Sequence, residues 1–289
     1  MLVNPTEMIK KAQKNHFGIG CFSSFDYNSV EAIIASAEET KTPVFVGFLD
    51  FPDPNMPWGE KFSMTPKQYK DFMRFLRVRA ESSTTQVCTH LDHCNTFEGC
   101  IRAIHEGATS VMIDASSKPF KENVRLTKEV VRAAHACGVA VEGEIGRISG
   151  HPNVVDERYT TVEDAKRFYE ETGVDLLAVS IGSIHGVLTT EVNLQYELMA
   201  QLRDAVPCGL VMHGASGMTE AEYKNSVENG VTKLNFASYL QIGMANYMRE
   251  KLAENNKNMF AMEVNKAEIA GAKEIIKKHI GFFKTQQIE

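Results

Sequence analysis

Three histidines in this chain stand where short apolar runs stop: His93 in THLDHC, His185 in LLAVSIGSIHG and His213 in GLVMHGASG. Three neutral imidazoles with a fourth position left open are a common way to hold a catalytic zinc. Any one of them alone reads as well as an ordinary polar residue at a strand end. All three share one context, though: two are followed by Gly and one is preceded by Asp. Jointly they point to a Zn2+ site, and the ends of several different strands are where a parallel β/α barrel gathers its catalytic groups. Cys94, beside His93, is a further soft donor whose other reading is packing.

The elements that must position these residues are legible as an alternation. Near-continuous apolar runs occur at 17–23, 42–48, 85–91, 109–115, 138–145, 174–181, 208–213 and 231–237, as expected of strands buried on both faces of a parallel sheet. Between them lie helical patterns such as SVEAIIASAEET and NVRLTKEVVRAAHACG. Pro66 and Asp164 sit near helix starts, and Gly138 and Gly173 just past helix ends. Eight strand–helix units with no linker predict one (β/α)₈ TIM barrel over residues 1–289, and residues 262–289 read as a C-terminal helical tail. On pattern alone a doubly wound open sheet is the alternative. Two long insertions, 49–64 after the second strand and 146–160 after the fifth, fall on the C-terminal face, where loops act as lids or specificity walls.

Bulk composition agrees with a large soluble core: 43% of residues are hydrophobic and 24% charged. A formal charge of −6 argues against nucleic acid or an anionic membrane as partner. The six cysteines form no CxxC pair and read as reduced thiols. With no span-length apolar stretch and no signal-peptide core near the start, the expected location is the cytoplasm.

Five segments, HLDHC, EGEIGRISG, LAVSIGSIHG, LVMHGASGMTEAE and GVTKLNFASYL, resemble in order and spacing the signatures of the class II ketose-bisphosphate aldolases. The tagatose-bisphosphate branch looks nearest, with fructose-bisphosphate aldolase as its sibling. The likeness runs over nearly the whole chain. It implies a zinc-dependent barrel lyase of carbohydrate metabolism, of the kind that serves glycolysis. Such an enzyme splits a ketose 1-phosphate or 1,6-bisphosphate reversibly into dihydroxyacetone phosphate and an aldehyde, without a Schiff base. By the same resemblance His93, His185 and His213 are the zinc ligands. Asp92 is the base that takes the C4 hydroxyl proton on cleavage and returns it on condensation, with a carboxylate orienting a histidine as its other role. Glu144 is an alternative ligand when zinc shifts, or a structural carboxylate. Neighbours on a continuous strand point to opposite faces, so Asp92 and His93 can share a site only if the strand ends or bends there.

The phosphate half falls to Gly186, Gly214, Ala215 and Ser216 after two of the histidines, and to Asn235, Phe236, Ala237 and Ser238 around the eighth strand. Glycine admits close backbone approach to phosphate, the serines add hydroxyl donors, and the following helix offers its positive end. The resemblance adds a monovalent cation near this phosphate, a homodimer or homotetramer, and Lys266 as a basic tail residue for the far phosphate. Departures concentrate on the aldehyde half. Ser23 follows Phe22 where the family has Asn, Leu49 stands where Ser or Thr is usual, and 149–152 read Ser-Gly-His-Pro instead of a glycine pair and acids. Asp156 or Glu157 is a substitute carboxylate, Arg147 and Arg158 are candidate partners for an anionic substrate end, and Asp26 and Asn28 are candidate compensating groups. Two other readings of the same residues are a barrel metallohydrolase and a non-catalytic phospho-sugar binding protein.

Overall fold

The computed structural model describes residues 1–53, 55, 62–146, 148, 159–186, 192–254 and 260–287. Eight parallel strands close in sequence order: β1 (Ile19–Ser23), β2 (Val44–Phe48), β3 (Val87–Cys94), β4 (Ser110–Ile113), β5 (Ala140–Ile145), β6 (Leu176–Val179), β7 (Gly209–Met212) and β8 (Val231–Phe236), with β8 pairing back onto β1. Closure removes the open-sheet alternative. The helices are α1 (Thr6–Asn15), α2 (Tyr27–Thr40), α3 (Pro66–Glu81), α4 (Phe97–His105), α5 (Phe120–Ala136), α6 (Val162–Thr172), α7 (Tyr196–Ala205), α8 (Glu220–Glu228), α9 (Ser238–Glu254) and α10 (Ala261–Phe282).

Local chemistry sets the helix starts. Thr65 with Gln68, and Thr219 with Glu222, form reciprocal capping boxes, and Pro66 takes the first helical position of α3, where its missing N–H costs nothing. Gly173 ends α6 at φ 71, a left-handed cap that suits glycine.

Packing divides into two apolar layers. The larger lies between strands and helices. The smaller fills the barrel axis with Ile19, Cys21, Phe45, Cys88, Met112, Leu176, Ala178 and Val211, closed below by Met8, Ile9 and Ala12 of α1. The C-terminal tail, expected to cap the barrel or meet a neighbouring subunit, packs along α2 and α9 and against β1. It is tied there by Gly18 N–H donating to Phe283 O at 2.8 Å and by Thr285 Oγ1 donating to Gly18 O at 2.6 Å. The apolar axis gives way to polar residues toward the C-terminal ends of the strands, and the site sits there.

Candidate active site

β3 runs further than its apolar pattern predicts, through His93 to Cys94. Its pairing with β4 slips between Leu91 and Cys94, and His93 adopts φ 48. A left-handed residue inside a strand breaks the alternation of side chains. Asp92 and His93 therefore enter one cleft, as the sequence requires of them. His213 follows β7 directly, whereas His185 lies in the loop well beyond the end of β6. The three rings converge, with centroids 4.5 Å apart for His93–His213, 5.1 Å for His93–His185 and 5.8 Å for His185–His213. One ring nitrogen from each lies within 4.8 Å of the others.

Which nitrogens face the cleft is decided from behind. His93 Nδ1 bonds Asp114 Oδ2 at 3.0 Å, and His213 Nε2 bonds Glu142 Oε1 at 2.8 Å. A carboxylate can only accept, so each ring donates on that side and presents its other nitrogen to the cleft. Those two, His93 Nε2 and His213 Nδ1, stand 2.9 Å apart. Two lone pairs cannot face each other at that distance, so the pair must share a proton or a cation.

The surroundings favour positive charge there. Burial opposes protonation of His93, but Asp92, Asp114 and Glu144 outweigh it and push its pKa up to about 10. Burial, and then the charge on His93, push His213 well below the imidazole range. Burial likewise opposes ionisation of Asp114, yet its bonds to His93 and Ser116 hold it well below the usual carboxylate range. The donor set thus fits a divalent cation that displaces the His93 proton. Glu144 also fits, as a candidate ligand. Its Oε2 is buried without a hydrogen-bond partner among the described residues, burial raises its pKa, and it groups with His93 and Asp114 within 4.8 Å.

A cleft opens over the histidines, lined by Asp92, His93, His185, Gly186, His213, Gly214, Ser216, Asn235, Ala237 and Ser238. Gly214 has φ 67, and a Cβ there would meet the Ile184 carbonyl carbon at 2.5 Å. Ser216 Oγ accepts from Tyr239 N–H at 3.4 Å, which leaves its own proton for a ligand. α9 begins at Ser238, which lines the cleft, so the positive end of that helix lies at the cleft wall and suits an anion.

Not every expected residue lies in that wall. Ala215 and Phe236 are fully buried behind it, the Phe236 ring packing on Phe22 and His279. Lys266 is exposed on α10. Cys94 turns away, its Sγ 3.3 Å from Thr96 O, which makes it a packing residue. Asp26 caps α2 through Ser29 N–H at 2.7 Å, and Asn28 Nδ2 donates to Glu268 at 2.7 Å, so both candidate compensating groups already hold partners within the fold. Leu49 packs into the outer core at 2% exposure. Arg147, Ser149, Gly150, His151, Pro152, Asp156, Glu157 and Arg158 lie outside the described residues.

Sequence reasoning missed the layer beneath the cleft. Glu142, Lys233, His90 and Ser110 are all fully buried within the barrel, and Asp114 stands behind His93. The available signal was a charged residue two positions before a site residue, as in Glu142-x-Glu144 and Lys233-x-Asn235, since that spacing keeps one face of a strand.

The family model for class II fructose-bisphosphate aldolase matches residues 3–287. A probable fructose-bisphosphate aldolase from Bacillus subtilis (strain 168) is 37% identical over 255 residues, covering 87% of each chain. The fructose-bisphosphate aldolase of Thermus caldophilus is 32% identical over 311 residues, covering 98% of each. Among solved structures, the crystal structure of the YdjI aldolase from Escherichia coli K12 superposes with a TM-score of 0.84 at 32% identity, over 99% of this chain and 98% of that one.

Proposed function

From the premise that this chain belongs to the class II fructose-bisphosphate aldolase family, and is an aldolase and hence a lyase, we propose a zinc-dependent enzyme that cleaves a ketose 1-phosphate or 1,6-bisphosphate reversibly to dihydroxyacetone phosphate and an aldehyde. The observation that carries this reading is the meeting, in one cleft, of a carboxylate, three imidazoles and an amide from β3, β8 and the loops after β6 and β7. The family assignment takes away the ground for the metallohydrolase and the non-catalytic binding protein.

His93, His185 and His213 would hold the cation, with Glu144 as an alternative ligand. When bound, the cation acts as a Lewis acid toward the negative charge that builds beside the ketone as C3–C4 breaks. Asp92 takes the C4 hydroxyl proton in cleavage and gives it back in condensation. Asn235 Nδ2 donates to Asp92 Oδ1 at 2.9 Å, which aims the carboxylate. Gly186, Gly214, Ser216, Ala237 and Ser238 take the phosphate of the triose half, and a monovalent cation near it would balance the anion. We assign the working enzyme to the cytoplasm as a homodimer or homotetramer, with Lys266 as a basic group for the far end of the substrate.

The aldehyde half is where this chain differs. Ser23 and Leu49 replace hydrogen-bonding groups, and a site that loses such donors relaxes or redirects its choice. Fructose and tagatose bisphosphates are then not uniquely preferred, and a ketose phosphate with a modified C5–C6 end does better. A coupled assay for triose phosphate across a panel of ketose phosphates tests the reaction, and kcat/KM over aldehydes at fixed dihydroxyacetone phosphate tests the specificity. No triose phosphate from any ketose would defeat the first; a clear preference for glyceraldehyde 3-phosphate would defeat the second.

A further inference from the structure

Below the cleft, and forming no part of its wall, Lys233 is fully buried. A buried ammonium is tolerated only when its donors are matched, and this one has three donors and no acceptor. Three acceptors meet it: Asn235 Oδ1 at 2.7 Å, Glu142 Oε2 at 2.8 Å and His90 Nε2 at 3.3 Å. The Phe45 ring lies 5.5 Å below the charge. Because the ammonium only donates, His90 Nε2 must accept, and its Nδ1 then donates to Ser110 Oγ at 2.8 Å.

The consequence falls on Asn235. An asparagine amide has two ends of nearly the same shape and opposite hydrogen-bonding sense. An ammonium only donates, so the oxygen must be the end that faces Lys233. The Nδ2 end is then turned to the cleft, 2.9 Å from Asp92 Oδ1 and 3.4 Å from His213 Nδ1. The reversed amide would set N–H against ammonium and carbonyl against carboxylate, two repulsions at once.

We propose that Lys233 is a positioning residue for the reaction. It fixes the amide orientation of Asn235, and through it the carboxylate of Asp92, while its bond to Glu142 steadies the carboxylate that orients His213. The proposal rests on Asp92 being the proton-transfer group. A lysine that only filled the barrel would matter for stability and leave turnover alone.

Lys233→Met/Glu142→Gln removes both charges together, leaves no lone buried ion, and keeps an oxygen at position 142 for His213. This pair should bind zinc at the wild-type stoichiometry and keep KM within about twofold, while kcat falls about tenfold or more. Lys233→Gln/Glu142→Gln returns a neutral donor to Asn235 and should recover most of that kcat. A wild-type kcat in the Met pair, or a Gln pair no better than the Met pair, overturns the proposal. Neutron diffraction from perdeuterated wild-type crystals decides the matter should a variant not fold. Three deuterons on Lys233 and the Asn235 amide nitrogen toward Asp92 are expected; a neutral lysine or a reversed amide overturns it. The neutron map reports on Lys233 alone, and the wild-type triose phosphate assay on the aldolase reading alone, so the two fail separately.

Discussion

Asp92 and His93 are consecutive residues whose side chains enter one cleft, because His93 takes φ 48 where β3 slips its register against β4. In the proposed mechanism one short segment supplies both a base and a ligand, and substitution should separate the two roles. Asp92→Ala should retain zinc, measured by metal analysis of the purified protein, while kcat falls about 10²–10⁴-fold, the usual worth of a positioned base. His93→Ala should lose the metal itself. Equal metal loss in both variants would reduce Asp92 to a carboxylate that orients His93.

Asp114 holds the far nitrogen of His93 at 3.0 Å and does not line the cleft. Removing such a partner typically lowers metal affinity by about 10–100-fold. Asp114→Ala should show that drop in competition with a chromogenic chelator, with zinc-saturated activity largely kept. An unchanged affinity would mean that the ring is oriented by its strand alone.

Gly214→Ala tests the phosphate wall. The added methyl meets the Ile184 carbonyl carbon at 2.5 Å and sits on a backbone at φ 67. Strain at such a position costs about 1–3 kcal/mol. The wall must shift, and KM should rise about tenfold or more through misplacement of the phosphate. A wild-type KM with only a lower Tm would take the phosphate away from this turn.

His279, which does not line the cleft, supplies a pH dependence of its own. It is packed among Tyr223, Phe236 and Phe283 with Nδ1 on Ile275 O at 2.7 Å, and burial depresses its pKa to about 4. The unfolded chain protonates it near the ordinary value of about 6.5, so above that pH both states are neutral and stability is full. As pH falls from about 6.5 toward about 4, the unfolded state gains the proton first and stability drains away, by about 3 kcal/mol at most. In His279→Gln, denaturation midpoints at pH 7.5 and pH 5 should lie closer together than in the wild type. An unchanged gap would assign the acid sensitivity to other groups.

The eight strands were legible because a strand buried on both faces writes a continuous apolar run, and the three histidines because they break those runs at the functional end. The same continuity hid the polar layer. Where both faces are apolar, inward and outward positions look alike, so Glu142 and Lys233 read as interruptions rather than as one ion pair beneath the cleft at 2.8 Å. The overrun of β3 was hidden for another reason: a left-handed histidine carries no sequence signature, since glycine or asparagine is the residue usually expected there. Asp26 and Asn28 looked available for substrate because a helix cap and a contact with Glu268 on α10 cannot be told from free polar side chains before the chain is folded.

The most direct measurement takes the chelator-stripped protein and a cleavable ketose phosphate, and follows triose phosphate release with and without added zinc and with borohydride present. Lys233, below the cleft, is fully buried and bonded to Glu142, Asn235 and His90, and so is not placed to attack a ketone. The expected result is loss of activity on stripping, recovery with zinc, and an unmodified protein mass after borohydride. Activity that survives stripping, together with a substrate-derived adduct reduced onto a lysine, would contradict the metal-dependent reading.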